Sequence, residues 1–229
     1  DWGNTNSHAP YTYDYFSETL RARESLSQEF RFVSNDRYKT ERLPFDWVVG
    51  FSYLKLNETN DRQDDGIYGD PNDPFSPYSS LVTSNSDYSS TNISVFGNIE
   101  YEFTGFTKLS LGLRMEDWSA KYFDSNDERF NPSDSMMGGK VSLTHAFDED
   151  KNVFANYAKG YKQGGFNIGL GLLDSTTSSD LEYDPEFLTN YEIGMDLSIS
   201  DKIDLRIVGF YSERTDQQVL ISTQVDPND

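Results

Sequence analysis

The sequence contains no cysteine and only two histidines, His8 and His145. Disulfide bonds and thiolate metal sites are therefore excluded. No apolar run approaches the roughly 18 residues of a transmembrane helix, and no amino-terminal signal peptide is visible. Basic residues are also scarce, with 19 against 39 acidic ones and a net charge of −20. Because phosphate binding requires a basic surface, nucleic acid is not an expected partner.

What the sequence does contain is strict alternation of polar and apolar residues. In 92–119, NISVFGNIEYEFTGFTKLSLGLRMEDWS, this period of two predicts two pleated strands joined by a tight turn. Each strand is long enough to cross a bilayer when tilted, which takes about 9–11 residues. The predicted outward face comprises Ile93, Val95, Gly97, Ile99, Tyr101 and Phe103 in the first strand and Leu109, Leu111, Leu113 and Met115 in the second.

The same alternation predicts six further strands, at 25–34, 45–58, 136–147, 152–161, 189–200 and 203–219. Residues 1–20 are interpreted as the end of a loop, and the polar segments 59–91 and 120–135 are predicted to be loops. The predicted fold is all-β: a transmembrane antiparallel up-and-down β-barrel, present as an incomplete segment of about eight strands. A soluble carbohydrate-binding sandwich is the alternative fold.

The connections between the predicted strands favour the barrel. Their lengths run 9, 33, 4, 16, 4, 26 and 3 residues, so short and long ones alternate. Outer-membrane barrels have short periplasmic turns and longer extracellular loops. Under this rule both chain ends lie outside, so we expect the chain to be cut at two loops of a larger barrel.

Four stretches carry a family resemblance. NVFANYAKGYKQGGFN at 152–167 resembles the strand and loop of TonB-dependent outer-membrane receptors of the siderophore-receptor type, and 25–35, 45–58 and 184–219 agree with that family in the same order. The resemblance implies that 1–229 is part of a barrel domain of about 22 strands with a plugged lumen. The plug domain, the TonB-contacting segment and the carboxy-terminal strands would lie outside this piece.

The resemblance also implies a function. It predicts active import of a scarce solute across the bacterial outer membrane, with a ferric siderophore as the first candidate and cobalamin or an oligosaccharide as others. The implied partners are the inner-membrane TonB complex, reached through the missing segments, and the lipid and lipopolysaccharide of the outer membrane. A non-energised porin or a small structural or adhesive barrel is the alternative.

No catalytic residue and no cofactor are predicted, because nucleophile, zinc and phosphate-binding motifs are absent from the sequence. The acidic stretch with Gly66 at its centre weakly resembles a calcium loop, with Asp61, Asp65 and Asp70 as metal candidates. Gln63 stands where a ligand is usual and no terminal glutamate follows, so weak or no calcium binding is expected. The ligand-binding residues are not assigned.

Two further groups of residues are interpreted structurally. The charges on the polar faces are expected to form cross-strand pairs or to face the plug; they are Glu100, Glu102, Arg114, Glu116, Glu192, Asp196 and Arg206. The glycines at 160, 164, 165, 169 and 171 do not fit a dinucleotide fingerprint and are expected to let a strand end and a loop bend.

Overall fold

In a computed structural model, residues 12–34, 45–69, 78–167 and 181–219 are described. All regular elements in these ranges are strands. The eight long ones are β1 (Thr12–Val33), β2 (Phe45–Gly69), β3 (Tyr78–Thr104), β4 (Thr107–Asp124), β6 (Ser133–Ala146), β7 (Lys151–Lys162), β10 (Glu186–Ser200) and β11 (Ile203–Thr215). Three two-residue strands complete the set: β5 (Arg129–Phe130), β8 (Gly165–Phe166) and β9 (Glu182–Tyr183). Within the described ranges no helix is long and apolar enough to cross a bilayer.

The long strands are ordered along the sheet as they are along the chain. The order is β1-β2-β3-β4-β6-β7-β10-β11, with β5 paired to β4 and with β8 and β9 forming a separate ribbon. Neighbours whose pairing is resolved are antiparallel, as up-and-down topology requires. The eight predicted strands are thus confirmed in number and order.

The predicted loop at 59–91 is wrong. β2 continues to Gly69 and β3 begins at Tyr78, so only residues 70–77 separate them. The segment has no apolar alternation because both faces are polar, and cross-strand hydrogen bonds hold it instead. Ser89 Oγ donates to Asn57 Oδ1 at 2.9 Å, and Asn60 Nδ2 donates to Ser86 Oγ at 3.5 Å.

Two other predicted loops are also shorter than expected. β1 begins at Thr12, inside the stretch interpreted as loop, and β4 extends to Asp124. The connections between long strands now run 11, 8, 2, 8, 4, 23 and 2 residues, the gaps between the bounds of successive long strands. Alternation of short and long connections therefore holds from the second connection onward, but the first exceeds the second.

Contacts divide the chain into two compact units. The first comprises Asp1–Leu26, Lys55–Ser90 and Ala120–Asn131, and the second comprises Ser27–Leu54, Thr91–Ser119 and Pro132–Asp229. In the first unit the buried apolar side chains include Tyr122 and Phe130, whose rings pack at 5.9 Å between centroids. In the second unit Trp118, Met136 and Phe154 are buried.

The apolar face of the second unit is uncovered. Val95 is 51% exposed and Ile193 is 69% exposed, and neither a helix nor a second sheet layer covers this face in the described residues. A sandwich would bury these side chains against a second sheet. Tyr157, Tyr191 and Tyr211 lie directly opposite one another on β7, β10 and β11, with ring centroids 5.2 and 6.3 Å apart. A row of aromatic residues beside an apolar band is typical of a membrane interface.

Candidate functional site: the polar face of the sheet

A hydrogen-bonded cluster on the polar face centres on Glu116 of β4. Its Oε1 accepts from Asn92 Nδ2 at 2.7 Å, and its Oε2 accepts from Arg114 Nη2 at 2.7 Å and from Tyr161 Oη at 3.2 Å. Arg114 Nε also donates to Tyr161 Oη at 3.2 Å, and Asn92 Nδ2 to Gln163 Oε1 at 3.3 Å. The cluster joins β3, β4 and β7. The ion-pair partner of Arg114 is Glu116 of its own strand, rather than the expected residue on a neighbouring strand.

Tyr161 reaches this cluster because Gly138 has no side chain. Gly138 of β6 lies directly opposite Arg114, between β4 and β7. A Cβ on Gly138 would stand 3.0 Å from the Tyr161 ring and 2.8 Å from the carbonyl oxygen of Lys159. The phenol therefore crosses a whole strand, which simple alternation along β7 does not predict.

A second aromatic ring on this face lies between two guanidinium groups. Phe96 of β3 covers Gly50 of β2, where a Cβ would overlap the ring. The Cζ atoms of Arg31 and Arg114 lie 5.9 and 5.8 Å from the ring centroid. Such cation–π contacts are each worth about 0.5–1 kcal/mol when exposed. The ring thereby fixes arginines of β1 and β4 to the polar face.

The same arrangement occurs near the other end of the sheet. Phe154 of β7 is directly opposite Gly194 of β10 and covers it. Arg206 of β11 stacks on this ring with its Cζ 4.9 Å from the centroid, and its Nε lies 3.4 Å from Asp196 Oδ1. The predicted cross-strand pairing of Asp196 with a cation is confirmed, as is that of Glu100, which pairs with Lys108 Nζ.

A chain of polar side chains crosses four strands. Ser142 Oγ donates to Asn156 Oδ1 at 2.5 Å, and Asn156 Nδ2 donates to Glu192 Oε2 at 3.1 Å. Asn190 Nδ2 donates to Glu192 Oε1 at 2.9 Å and its Oδ1 accepts from Ser212 Oγ at 2.6 Å. The polar atoms on this face of the sheet are therefore already hydrogen-bonded to one another.

Glycines at the end of β7 permit a close approach of the following ribbon. A Cβ on Gly164 would lie 2.5 Å from the carbonyl oxygen of Tyr183 and 2.7 Å from Asp134 Oδ2. Burial, together with the nearby Asp184, raises the pKa of Asp134. A Cβ on Gly165 would likewise lie 2.5 Å from the hydroxyl oxygen of Tyr183. The strand end expected near these two positions is present, because β7 ends at Lys162, whereas 169 and 171 lie outside the described residues.

In the first unit a buried tyrosine and carboxylate are paired. Tyr122 Oη donates to Asp124 Oδ2 at 3.3 Å, and burial, with the charge of Asp124, raises the pKa of Tyr122 to about 12. Asp124 Oδ1 accepts from the backbone N–H groups of Asn126 and Glu128 at 2.9 and 3.0 Å. The pair closes the turn that follows β4.

The metal candidates are not brought together. Asp61 and Asp65 are exposed on β2, and Asp70 lies outside the described residues. In the ranges given above, no group of three or more His, Cys, Asp or Glu side chains could hold a metal ion. The neighbouring Asp64, which was not among the three candidates, accepts a 2.6 Å hydrogen bond from Tyr15 Oη and pairs with Arg62 Nε at 2.9 Å. The expectation of weak or no calcium binding by this segment stays a prediction.

The histidines lie apart from the polar cluster. His145 Nδ1 is 2.8 Å from Thr107 Oγ1 on the directly opposite residue of β4, and its ring meets Phe147 edge to face at 4.8 Å. These contacts hold the end of a hairpin. His8 lies outside the described residues.

The family follows from a comparison with known sequences. A family model described as "TonB dependent receptor-like, beta-barrel" matches residues 1–229. The chain belongs to this family. Its members are receptors of the bacterial outer membrane rather than a class of enzymes, so the predicted barrel segment and the predicted location are confirmed.

Solved structures share the fold of the TonB-dependent receptor segment. The ferric yersiniabactin uptake receptor of Yersinia pestis superposes with a TM-score of 0.65 at 19% identity, covering 90% of this chain and 30% of that one. The copper transporter OprC superposes with a TM-score of 0.57 at 15% identity, covering 85% of this chain and 30% of that one. The ferric preacinetobactin receptor of Acinetobacter baumannii gives 0.53 at 15% identity, over 90% and 31%. The chain thus spans less than a third of these relatives.

Proposed function

We propose that this chain forms part of the wall of an outer-membrane transporter that imports a scarce solute with energy from the inner-membrane TonB complex. The observation that carries the proposal is the division of the second unit into two unlike faces. One face is apolar and uncovered, as lipid contact requires, and the other is lined by mutually hydrogen-bonded polar groups, such as Asn156 and Glu192.

The polar face is suited to enclosing a hydrated passage. Glu116 and Asp196 are ion-paired with Arg114 and Arg206, and Glu192 accepts hydrogen bonds from Asn156 and Asn190. The rings of Phe96 and Phe154 occupy the space that side chains at Gly50 and Gly194 would need. A wall of this kind accommodates a mobile plug without binding it tightly at any one carboxylate. A plug domain encoded upstream is part of the proposal.

The cargo that the family and the relatives favour is a ferric siderophore. Two of the three relatives described above are receptors for iron chelates and one is a copper transporter, so a chelated or free metal is the common theme. Cobalamin and oligosaccharides are the other candidates, and a passive porin is the alternative from another class.

The test is uptake by cells that carry the complete gene. Radiolabelled iron is supplied on hydroxamate, catecholate and carboxylate siderophores to the wild type, to a deletion strain and to a strain lacking TonB. We expect one chelate to be taken up only when both the receptor and TonB are present. Uptake that persists without TonB would support the porin. TonB-dependent uptake of cobalamin or an oligosaccharide in place of iron would mean that this solute, and not a ferric siderophore, is the cargo.

A further inference from the structure

Two arginines on β1 share one carboxylate of β2. Arg23 Nε donates to Glu58 Oε2 at 2.7 Å, and its Nη2 contacts the same oxygen. Arg21 Nε donates to Asn60 Oδ1 at 2.8 Å and lies 3.4 Å from Glu58 Oε1. Asn60 Nδ2 in turn donates to Glu58 Oε1 at 3.2 Å. Two positive charges are therefore held beside a single negative charge, and all four residues belong to the first unit.

The two guanidinium groups keep hydrogen-bond donors that the protein does not use. A guanidinium group has five N–H donors. Among the residues that the structure describes, no acceptor is bonded to either terminal nitrogen of Arg21 or to Nη1 of Arg23. These side chains are 58% and 56% exposed, whereas that of Glu58 is 13% exposed. The carboxylate and Asn60 thus fix the guanidinium groups and leave terminal nitrogens to solvent.

The arginines lie on the polar face of β1. Phe16, Leu20 and Leu26 occupy even positions of this strand in the first unit, and Arg21 and Arg23 occupy odd ones. Successive side chains of a strand face opposite ways. In an outer-membrane barrel the apolar face contacts lipid and the polar face encloses the passage. The two arginines are therefore assigned to the passage.

The local charge at the arginines is opposite in sign to that of the whole chain. The carboxylates of β1 in the first unit also occupy even positions, and alternation places them on the other face: Asp14, Glu18 and Glu24. Arg21, Arg23 and Glu58 together carry a net positive charge, in a chain whose net charge is −20. A positive site in a polar passage attracts anions.

The unused donors fit the oxygens of a carboxylate. The planar fork of a guanidinium group donates two parallel N–H bonds to a carboxylate, with a geometry that a lysine ammonium does not offer. Because Glu58 holds Arg21 and Arg23 side by side, one solute with two carboxylate groups can contact both. A cationic solute would be repelled, and a neutral one would gain no charge-assisted hydrogen bond.

We propose that Arg21 and Arg23 form a binding site for carboxylate groups of the imported solute. Where it names the cargo, the inference rests on the proposed function: a ferric chelate that uses this site carries carboxylates and a net negative charge. It is then neither a neutral hydroxamate complex nor cobalamin. The anion site itself does not require that the cargo contain iron.

Chemical modification of arginine tests the site without transport. The complete receptor in detergent micelles is treated with phenylglyoxal, which modifies arginine side chains, and each modified peptide is measured by mass spectrometry. We expect citrate to suppress modification of Arg21 and Arg23 and to leave that of Arg62 unchanged, because Arg62 Nε is bonded to both oxygens of Asp64 at 3.1 and 2.9 Å. Sodium chloride at the same ionic strength should protect none of the three. Equal effects of citrate on all three arginines, or no effect, would overturn the site.

Binding of radiolabelled ferric chelates to the same protein tests the cargo. We expect a carboxylate chelate to bind the wild type and to bind Arg21→Gln and Arg23→Gln about tenfold more weakly, the loss that corresponds to one hydrogen bond between charged groups. Arg62→Gln is the matched control, since it removes the same charge from an arginine that already has its own carboxylate. It should bind the chelate as the wild type does.

A further variant addresses the carboxylate that these substitutions leave behind. Arg21→Gln/Arg23→Gln/Glu58→Gln removes the shared acid together with both cations, so that no buried charge is left unpaired. It should bind the chelate no better than either single variant. All variants are compared as protein that enters the membrane and resists detergent like the wild type.

The outcomes separate this inference from the proposed function. TonB-dependent import of a ferric chelate that binds Arg21→Gln and Arg23→Gln as tightly as the wild type would overturn the site and leave the transporter in place. Import of a neutral hydroxamate chelate alone would overturn it in the same way. Protection of both arginines by citrate without binding of any ferric chelate would support the anion site and count against iron as the cargo.

Discussion

Phe154 lies directly opposite Gly194, and its ring occupies the space that a side chain at 194 would need. A Cβ on Gly194 would stand 2.5 Å from Cζ of the ring and 2.8 Å from the carbonyl oxygen of Ile207. The ring can turn aside, but the carbonyl belongs to the next strand and cannot. Glycine is therefore required here by the packing of two neighbouring strands.

We expect Gly194→Ala to destabilise the barrel by about 1–3 kcal/mol, the usual range for overpacking. The free energy of unfolding would be measured in urea with the protein in lipid vesicles. Gly209→Ala is the control, because Gly209 lies one strand away, opposite Ile193, with no atom within 4 Å of a Cβ. A Gly194→Ala variant as stable as the Gly209→Ala variant would show that the ring and the carbonyl move without cost.

The sequence alone predicted the membrane-facing parts of the strands well. Where one face is apolar, as from Ile93 to Phe103, the period of two is visible in the residue types. The residue types do not show this period beyond Glu58 on β2, because both faces there are polar. Hydrogen bonds such as that of Ser89 to Asn57 stabilise the pairing instead. Hydropathy cannot reveal a strand that buries no apolar side chain.

The contacts of the polar face were predicted only in part. Cross-strand pairing of charges followed from alternation, which places Asp196 and Arg206 on one face of neighbouring strands. The reach of Tyr161 over Gly138 to Glu116 did not follow, since it joins β7 to β4 across the whole of β6. A glycine on the polar face of one strand and an aromatic residue on a neighbouring strand were the available signal, but they are informative only when the register is known.

The cluster around Glu116 predicts energetic coupling between β4 and β7. Tyr161→Phe removes the hydroxyl that donates to Glu116, and Glu116→Gln removes the charge that accepts from it. We expect a double-mutant cycle on unfolding in urea to give a coupling of about 1 kcal/mol, typical of one hydrogen bond. Tyr157→Phe combined with Glu116→Gln is the control and should be additive, because Tyr157 lies on the apolar face beside Tyr191. Additivity of the Tyr161 pair would mean that the contact contributes nothing in the membrane.

We predict that a charge introduced on the apolar face destabilises the barrel much more than the same charge on the polar face. Met195 lies six residues before the turn at 201–202, which is about 20 Å along β10. We expect Met195→Arg to destabilise the folded barrel by about 2–4 kcal/mol, the cost of a cation near the bilayer midplane. Ser198→Arg places the same charge on the other face of the strand, opposite Asp204, and should change stability much less. Both values come from urea unfolding in lipid vesicles, and equal tolerance would mean that the Met195 face does not contact lipid.

We predict that the pKa of Asp64, in the first unit, lies well below that of an ordinary aspartate. Its pKa is lowered to about 2 by a hydrogen bond from Ser17, followed by those from Tyr15 and Arg62. Because the folded pKa lies below the usual value of about 3.9, the ionised carboxylate stabilises this strand end above pH 4 or so, and that contribution is lost as the pH falls through about 2.

An NMR titration of the side-chain carboxyl carbon of Asp64 measures this directly. We expect Ser17→Ala to raise the pKa of Asp64 toward the ordinary value, since it removes the largest of the three hydrogen-bond contributions. Ser25→Ala, eight residues further along β1, is the matched control and should leave the titration unchanged. A wild-type midpoint close to that of a free aspartate would show that Tyr15, Ser17 and Arg62 do not hold the carboxylate in solution, and that β1 and β2 are not joined at this point.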